Sequence, residues 1–158
     1  MDSRRGACNS LRMNVVTLAG LAALLSCGPA ALAAPDSTGA FAAAGVSEAD
    51  ARQAFNTLQN AVRANDASAV ADLVALPLRV NLVDGRHRSI DERRQFLVEY
   101  PLLFDDRLRT VVLEQTFDGL FVNGAGIMFG KGQLWLGGVC PRPGCADPRV
   151  RIIAINQF

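Results

Sequence analysis

The chain holds a single histidine, His87, the residue type most used for proton transfer at neutral pH. That scarcity excludes a good deal of chemistry. A Ser–His or Cys–His nucleophile pair would depend on His87, which sits between Arg86 and Arg88 just past a turn, a solvated position. A zinc site fares no better: Cys140 and Cys145 supply only two ligands, and His87 is remote from them in sequence. There is no C-x-x-C dithiol and no G-x-S-x-G elbow. The glycines of the C-terminal half open strands rather than a helix, so they form no phosphate-binding loop. Nor is there a run of basic residues. The charge balance is +1 over the whole chain, which leaves no electrostatic footprint for nucleic acid and no polybasic patch for an anionic membrane. No cofactor and no metal are expected.

What the first 33 residues do contain is an address. Arg4, Arg5 and Arg12 form a positive region, Val15 to Leu25 is apolar, Gly28-Pro29 breaks the helix, and Ala31-Leu32-Ala33 precedes Ala34. This is the layout of a secretory signal peptide over residues 1–33, cleaved between Ala33 and Ala34, with an apolar stretch too short to span a bilayer. Leu24-Leu25-Ser26-Cys27 allows an alternative, a bacterial lipobox in which Cys27 carries a lipid anchor. The protein is therefore expected to be periplasmic or secreted, or else a membrane-anchored lipoprotein. Without residues 1–33, which hold Arg4, Arg5, Arg12 and Asp2, there remain 13 basic and 14 acidic side chains, a net charge of −1.

Residues 34–46 are small and patternless and read as a flexible lead-in to one domain over 47–158. Ser47 and Asp50 have the spacing of a helix cap, and Ala51, Ala54, Phe55, Leu58, Ala61 and Val62 trace one helical face, with Arg52, Gln59 and Arg63 turned away. Asn65 closes that helix and Asp66 caps a short second one, which carries Val70, Leu73 and Val74 and ends at Pro77. Leu78, Val80 and Leu82 alternate with Arg79 and Asn81, predicting a strand. Asp84-Gly85 turns it into a brief return strand at His87–Ser89. Ser89 and Glu92 make a second capping pair for a helix with Phe96, Leu97 and Tyr100, interrupted by Pro101. Asp105 or Asp106 starts another, with Leu108, Val111, Val112 and Gln115 on one side.

From Leu120 to Leu136 (LFVNGAGIMFGKGQLWL) apolar runs are broken by Gly124, Gly126, Gly130 and Gly132, the pattern of strands joined by tight turns, with bends or bulges at the glycines. A last strand is expected over Val150–Ile155. Cys140 and Cys145 flank a Pro/Gly turn between strands, and in an oxidising compartment that placement predicts a disulfide.

Residues 47–158 in this order resemble the nuclear transport factor 2-like (SnoaL-like) superfamily. The carriers are the helix Ala51–Val62, the segment Pro77-Leu78-Arg79-Val80-Asn81, the segment from Gln95-Phe96 to Tyr100-Pro101 and, most specifically, G-x-M-x-G-x-G-x-x-W from Gly126 to Trp135. That motif is similar to one in small exported bacterial proteins of the superfamily. The resemblance implies an α+β cone, a curved antiparallel sheet wrapped around three to four helices and enclosing a cavity. It also implies a possible homodimer. Members include isomerases, epoxide hydrolases and cyclases alongside proteins that only bind, and no catalytic motif of the enzymes matches a position here.

Among the carboxylates, Asp84 belongs to a turn, Asp91 and Glu92 to a helix start, and Asp105, Asp106 and Asp118 to caps or turns, so none stands out as a buried general base. Candidate pocket-lining residues are Phe55, Arg79, Asn81, Tyr100, Met128 and Trp135. The large apolar ones serve equally as core, and Arg79 and Asn81 equally as a solvent face. The expectation is a non-catalytic exported binding protein, holding a small hydrophobic ligand in the cone or an envelope protein partner on the sheet. The alternatives are a small isomerase, dehydratase or cyclase, and an inhibitor or immunity-type protein whose Pro141–Gly144 loop enters a hydrolase cleft.

Overall fold

Eleven elements follow one another in the computed structural model, which describes residues 37–158. The expected signal peptide, its cleavage point at Ala33 and Ala34, and Cys27 lie outside the described residues. Five helices, α1 (Ser37–Ala43), α2 (Glu48–Arg63), α3 (Ala67–Ala71), α4 (Arg93–Leu103) and α5 (Asp106–Glu114), accompany six strands. The strands are β1 (Val74–Asn81), β2 (His87–Ile90), β3 (Phe121–Asn123), β4 (Gly126–Phe129), β5 (Leu134–Val139) and β6 (Arg149–Asn156). They form one sheet in the order β2–β1–β6–β5–β4–β3. The sheet is mixed, not antiparallel throughout. β1 and β6 run parallel at its centre and every other neighbouring pair is antiparallel.

Helix α2 forms where the capping pair and the apolar stripe place it. Ser47 Oγ accepts from Asp50 N at 3.1 Å, and Ala51, Phe55, Leu58, Ala61 and Val62 are buried. Asn65 closes the helix in the left-handed region at φ 53°, and Asp66 then accepts from Ala69 N to cap α3. Two residues of α2 expected to face solvent do more. Gln59 Nε2 donates to Val112 O and Gln115 O, both at 2.8 Å, satisfying carbonyls at the end of α5. Arg52 lies over the Phe117 ring, 3.8 Å from its centroid.

Several expectations are corrected. The lead-in contains α1, and Phe41, Ala44 and Val46 join the core; Phe41 stacks on Phe117 with ring centroids 5.5 Å apart. Val74 begins a strand instead of ending a helix, and Pro77 lies within β1. The register against β6 shifts between Val74 and Arg79, so the proline falls where no ladder donor is required. Ser89 is strand: β2 continues to Ile90, Glu92 makes no side-chain cap bond, and Ser89 Oγ donates to Asp91 instead. Helix α4 passes through Pro101 to Leu103, held by the burial of Tyr100, Leu103 and Phe104 and by Phe104 N donating to Tyr100 O at 2.8 Å. The Cys140–Cys145 disulfide is present in the β5–β6 loop, with Cα atoms 5.6 Å apart.

All five helices pack on one face of the sheet, against Leu78, Val80, Ile90, Ile127, Phe129, Leu134, Leu136, Ile152 and Ile155. Aromatic rings fill the space between. Phe129 stacks on Phe55, Phe55 meets Phe117 edge-on, and Phe96, Tyr100 and Phe104 form a second group. No polar or charged residue is buried among those described.

The edge strand β2 is tied to α4 by a salt bridge from Arg88 to Glu99, a carboxylate that also accepts from Gln95 Nε2 at 3.0 Å. Burial works against the Glu99 anion, but the hydrogen bonds from Arg88 and Gln95 and the charge of Arg88 outweigh it, so its pKa lies below the ordinary value of 4.5. A depressed carboxylate pKa contributes stability above the ordinary value and loses it as pH falls through the folded one. Glu99→Gln is therefore expected to cost less than about 1 kcal/mol near neutrality, the pair being partly solvated. It should also make the acid limb of stability less steep below about pH 4.5, read by urea titration across pH.

Candidate functional site

Alternation along each strand divides the sheet into two unlike faces. One is the core face above. On the other, cross-strand registers align a row of side chains across the whole sheet: Ser89, Arg79, Ala154, Trp135, Met128 and Phe121. A bulge in β6 opposite Trp135 and Leu136 turns Ile153 outward as well, where its Cδ1 lies 2.9 Å from the Cβ position of Gly137. None of the outward apolar residues packs against the core cluster. Phe121 is 52% exposed and Phe158, beside Gly132, 54%.

A polar ladder borders this apolar row. Arg79 Nε donates to Asn81 Oδ1 at 2.8 Å, Asn81 Nδ2 to Asn156 Oδ1, and Asn156 Nδ2 to the Gly132 carbonyl. The chain of amides fixes the side chains of β1 and β6 and leaves the remaining guanidinium donors of Arg79 directed outward. The charge pattern is one-sided. The six strands carry Arg79, His87, Arg88, Arg149 and Arg151, and no aspartate or glutamate. Arg88 faces inward to Glu99, while Arg79, Arg149 and Arg151 share the parity of Trp135.

The six residues singled out from the sequence are thus divided. Arg79, Asn81, Met128 and Trp135 come together on the outer face, with Met128 and Trp135 directly paired. Phe55 and Tyr100 lie on the opposite side of the sheet among the helices, Phe55 5% and Tyr100 4% exposed. Phe121, Ile153 and Asn156 belong to the outer group and were missed. Phe121 and Ile153 read as core in apolar runs, and Asn156 becomes significant only through its pairing with Asn81. His87 is exposed opposite Asn81 at the sheet edge. Among the described residues, no three His, Cys, Asp or Glu side chains are grouped to hold a metal ion, and no helix is long and apolar enough to cross a membrane.

This face offers an apolar strip, a hydrogen-bonded polar border and the arginines of β1 and β6. No protein-family model, no curated protein and no solved structure matches this chain.

Proposed function

We propose that this is an exported, non-catalytic binding protein that holds an acidic, apolar protein partner on the outer face of its sheet. The single observation that carries the reading is the row Arg79–Ala154–Trp135–Met128–Phe121, which crosses the sheet with no described helix over it. Aromatic, methionine and arginine side chains at the centre of a face are the residue types that dominate protein interfaces. Arg79, which makes no salt bridge among the described residues, favours a partner of opposite sign.

The order of helices and strands supports the nuclear transport factor 2-like cone as the finer description of the fold. The aromatic filling between sheet and helices favours the outer face over an interior ligand. The signal-peptide layout supports a periplasmic or secreted location, and the intact mass of the mature protein decides between a start at Ala34 and a lipidated Cys27.

The test is site-specific photocrosslinking in the native envelope. A crosslinker at Met128 should capture one partner in near-stoichiometric yield, and one at Val98, exposed on α4, should not. The double variant Arg79→Glu, Trp135→Ser should abolish the capture while the domain keeps its fold. Equal capture from both positions, or capture unaffected by the double variant, would overturn the reading.

A further inference from the structure

The polar ladder on the outer face has one consistent orientation, and that orientation commits part of Arg79. A guanidinium donates and cannot accept, while the Gly132 carbonyl accepts and cannot donate. Both amides between them must therefore turn oxygen toward Arg79 and nitrogen toward Gly132. Arg79 Nε donates to Asn81 Oδ1 at 2.8 Å, Asn81 Nδ2 to Asn156 Oδ1, and Asn156 Nδ2 to the Gly132 carbonyl. The two asparagines are held through the backbone as well, Gln157 N donating to Asn81 O and Asn156 N to Gln133 O.

With Nε engaged, the Nη groups of Arg79 are left with no partner among the described residues. They form the end of the guanidinium fork, an edge that takes a carboxylate through two parallel bonds. Ser89, opposite Arg79 in the register, turns its hydroxyl to Asp91, and that carboxylate lies outside salt-bridge distance of Arg79. On the other side Ala154 sets a single methyl between Arg79 and Trp135. At about 4.8 Å per strand, the Arg79 and Trp135 backbones are about 10 Å apart. The ladder also ends beside the indole, since Trp135 Nε1 lies 3.6 Å from the Cβ position of Gly132. A carboxylate with an apolar body a few bonds away fits this arrangement, the first on the Arg79 fork and the second over Ala154 against Trp135.

We propose that Arg79 receives a side-chain carboxylate of the partner, that an apolar neighbour of that carboxylate lies on Trp135, and that Asn81 and Asn156 are positioning residues for the guanidinium. Arg79 lies inside the row, with Ser89 of β2 beyond it, so a chain crossing the sheet passes over it and offers a side chain rather than a terminus. The inference deepens the reading of the outer face and rests on it. Purified protein and peptides test it without the partner, so the two fail separately.

The probes are acetyl-Glu-Phe-amide, acetyl-Gln-Phe-amide and acetyl-Gln-Phe with a free carboxyl terminus, titrated by NMR. Trp135 is the only tryptophan, so its indole N–H resonance is recognised without assignment. The glutamate peptide is expected to shift that resonance and the Arg79 Nε–H saturably, in the millimolar range or tighter. The glutamine amide should bind about fivefold more weakly or worse, and the free-terminus peptide more weakly than the glutamate one. Arg79→Lys keeps the charge but cannot hold Asn81 and a carboxylate fork together, so it should also lose about fivefold. Asn156→Ala leaves Arg79 in place but frees the Asn81 amide. Solvent exchange of the Arg79 Nε–H should quicken and affinity fall about threefold, with unchanged circular dichroism. Equal binding of the glutamate and glutamine amides would overturn the proposal, as would undiminished binding by Arg79→Lys. So would tighter binding of the free-terminus peptide, or an Arg79 Nε–H exchange rate untouched by Asn156→Ala. A crosslinker at Met128 that captures nothing would strike the reading of the face, and these titrations would still decide the carboxylate site.

Discussion

Gly126→Ala is expected to destabilise the domain by about 3 kcal/mol or more, because it combines backbone strain with a collision that has no exit. Gly126 sits at φ 135°, where a side chain is disfavoured, and a Cβ there would lie 2.3 Å from the carbonyl oxygen of Leu136. That oxygen is backbone of the neighbouring strand β5, so no rotamer change relieves the contact; β4 and β5 would have to separate. Their pairing aligns Met128 with Trp135, so the variant should also disorganise the outer face. The control is Gly124→Ala in the adjoining turn, where the nearest atom, Ala43 O, is 3.8 Å from the Cβ position. It should be within about 0.5 kcal/mol of wild type. Urea denaturation of the three proteins checks both statements, and a Gly126→Ala domain with a wild-type midpoint would contradict the first.

Phe129→Ala should be the most damaging core truncation, at about 3–5 kcal/mol. The residue is completely buried and its ring stacks on Phe55 at 5.5 Å; Phe55 meets Phe117 edge-on, and Phe117 stacks on Phe41. This line of four rings runs from β4 through α2 to α1, so a cavity at Phe129 loosens contacts as far as the first described helix. Domains of this size have roughly 5–15 kcal/mol in total, so the variant should be partly unfolded under mild warming. Phe121→Ala, one strand away on the exposed face, should cost less than about 1 kcal/mol and leave circular dichroism intact. Thermal unfolding of the pair separates the two roles, core anchor and surface strip.

How much of this was legible in the sequence depended on whether the deciding interaction was local. Helix α2 was, because Ser47, Asp50, Asn65 and Asp66 act on backbone groups within a few residues. Helix α1 was not. Its one large anchor is Phe41, whose partner Phe117 is distant in the chain, and the surrounding alanines carry no stripe. Pro77 and Pro101 read as breakers by local rule and are overridden, the first by a register shift and the second by burial on both sides of it. The parallel pairing of β1 with β6 left no trace in local pattern.

The candidate site was half legible for a related reason. Around Gly126–Leu136 both parities are apolar: Ile127, Phe129, Leu134 and Leu136 turn inward, Met128 and Trp135 outward. With no polar alternation to mark the solvent side, Trp135 and Met128 could not be told from core. Arg79 and Asn81 were clearer, since Leu78 and Val80 alternate with them.

The central position of β6 has a consequence for the timing of folding. It is the last strand in the chain, yet it joins the β2–β1 hairpin to the β5–β4–β3 meander. While residues 149–156 are still on the ribosome, the strands already made can form only two half-sheets, each with an unpaired edge. Both edges close in one step when β6 inserts, so folding is deferred until nearly the whole described chain has emerged. A chain cut short before Arg149 should therefore be not a weakened domain but two sticky fragments on one polypeptide, prone to edge-to-edge association.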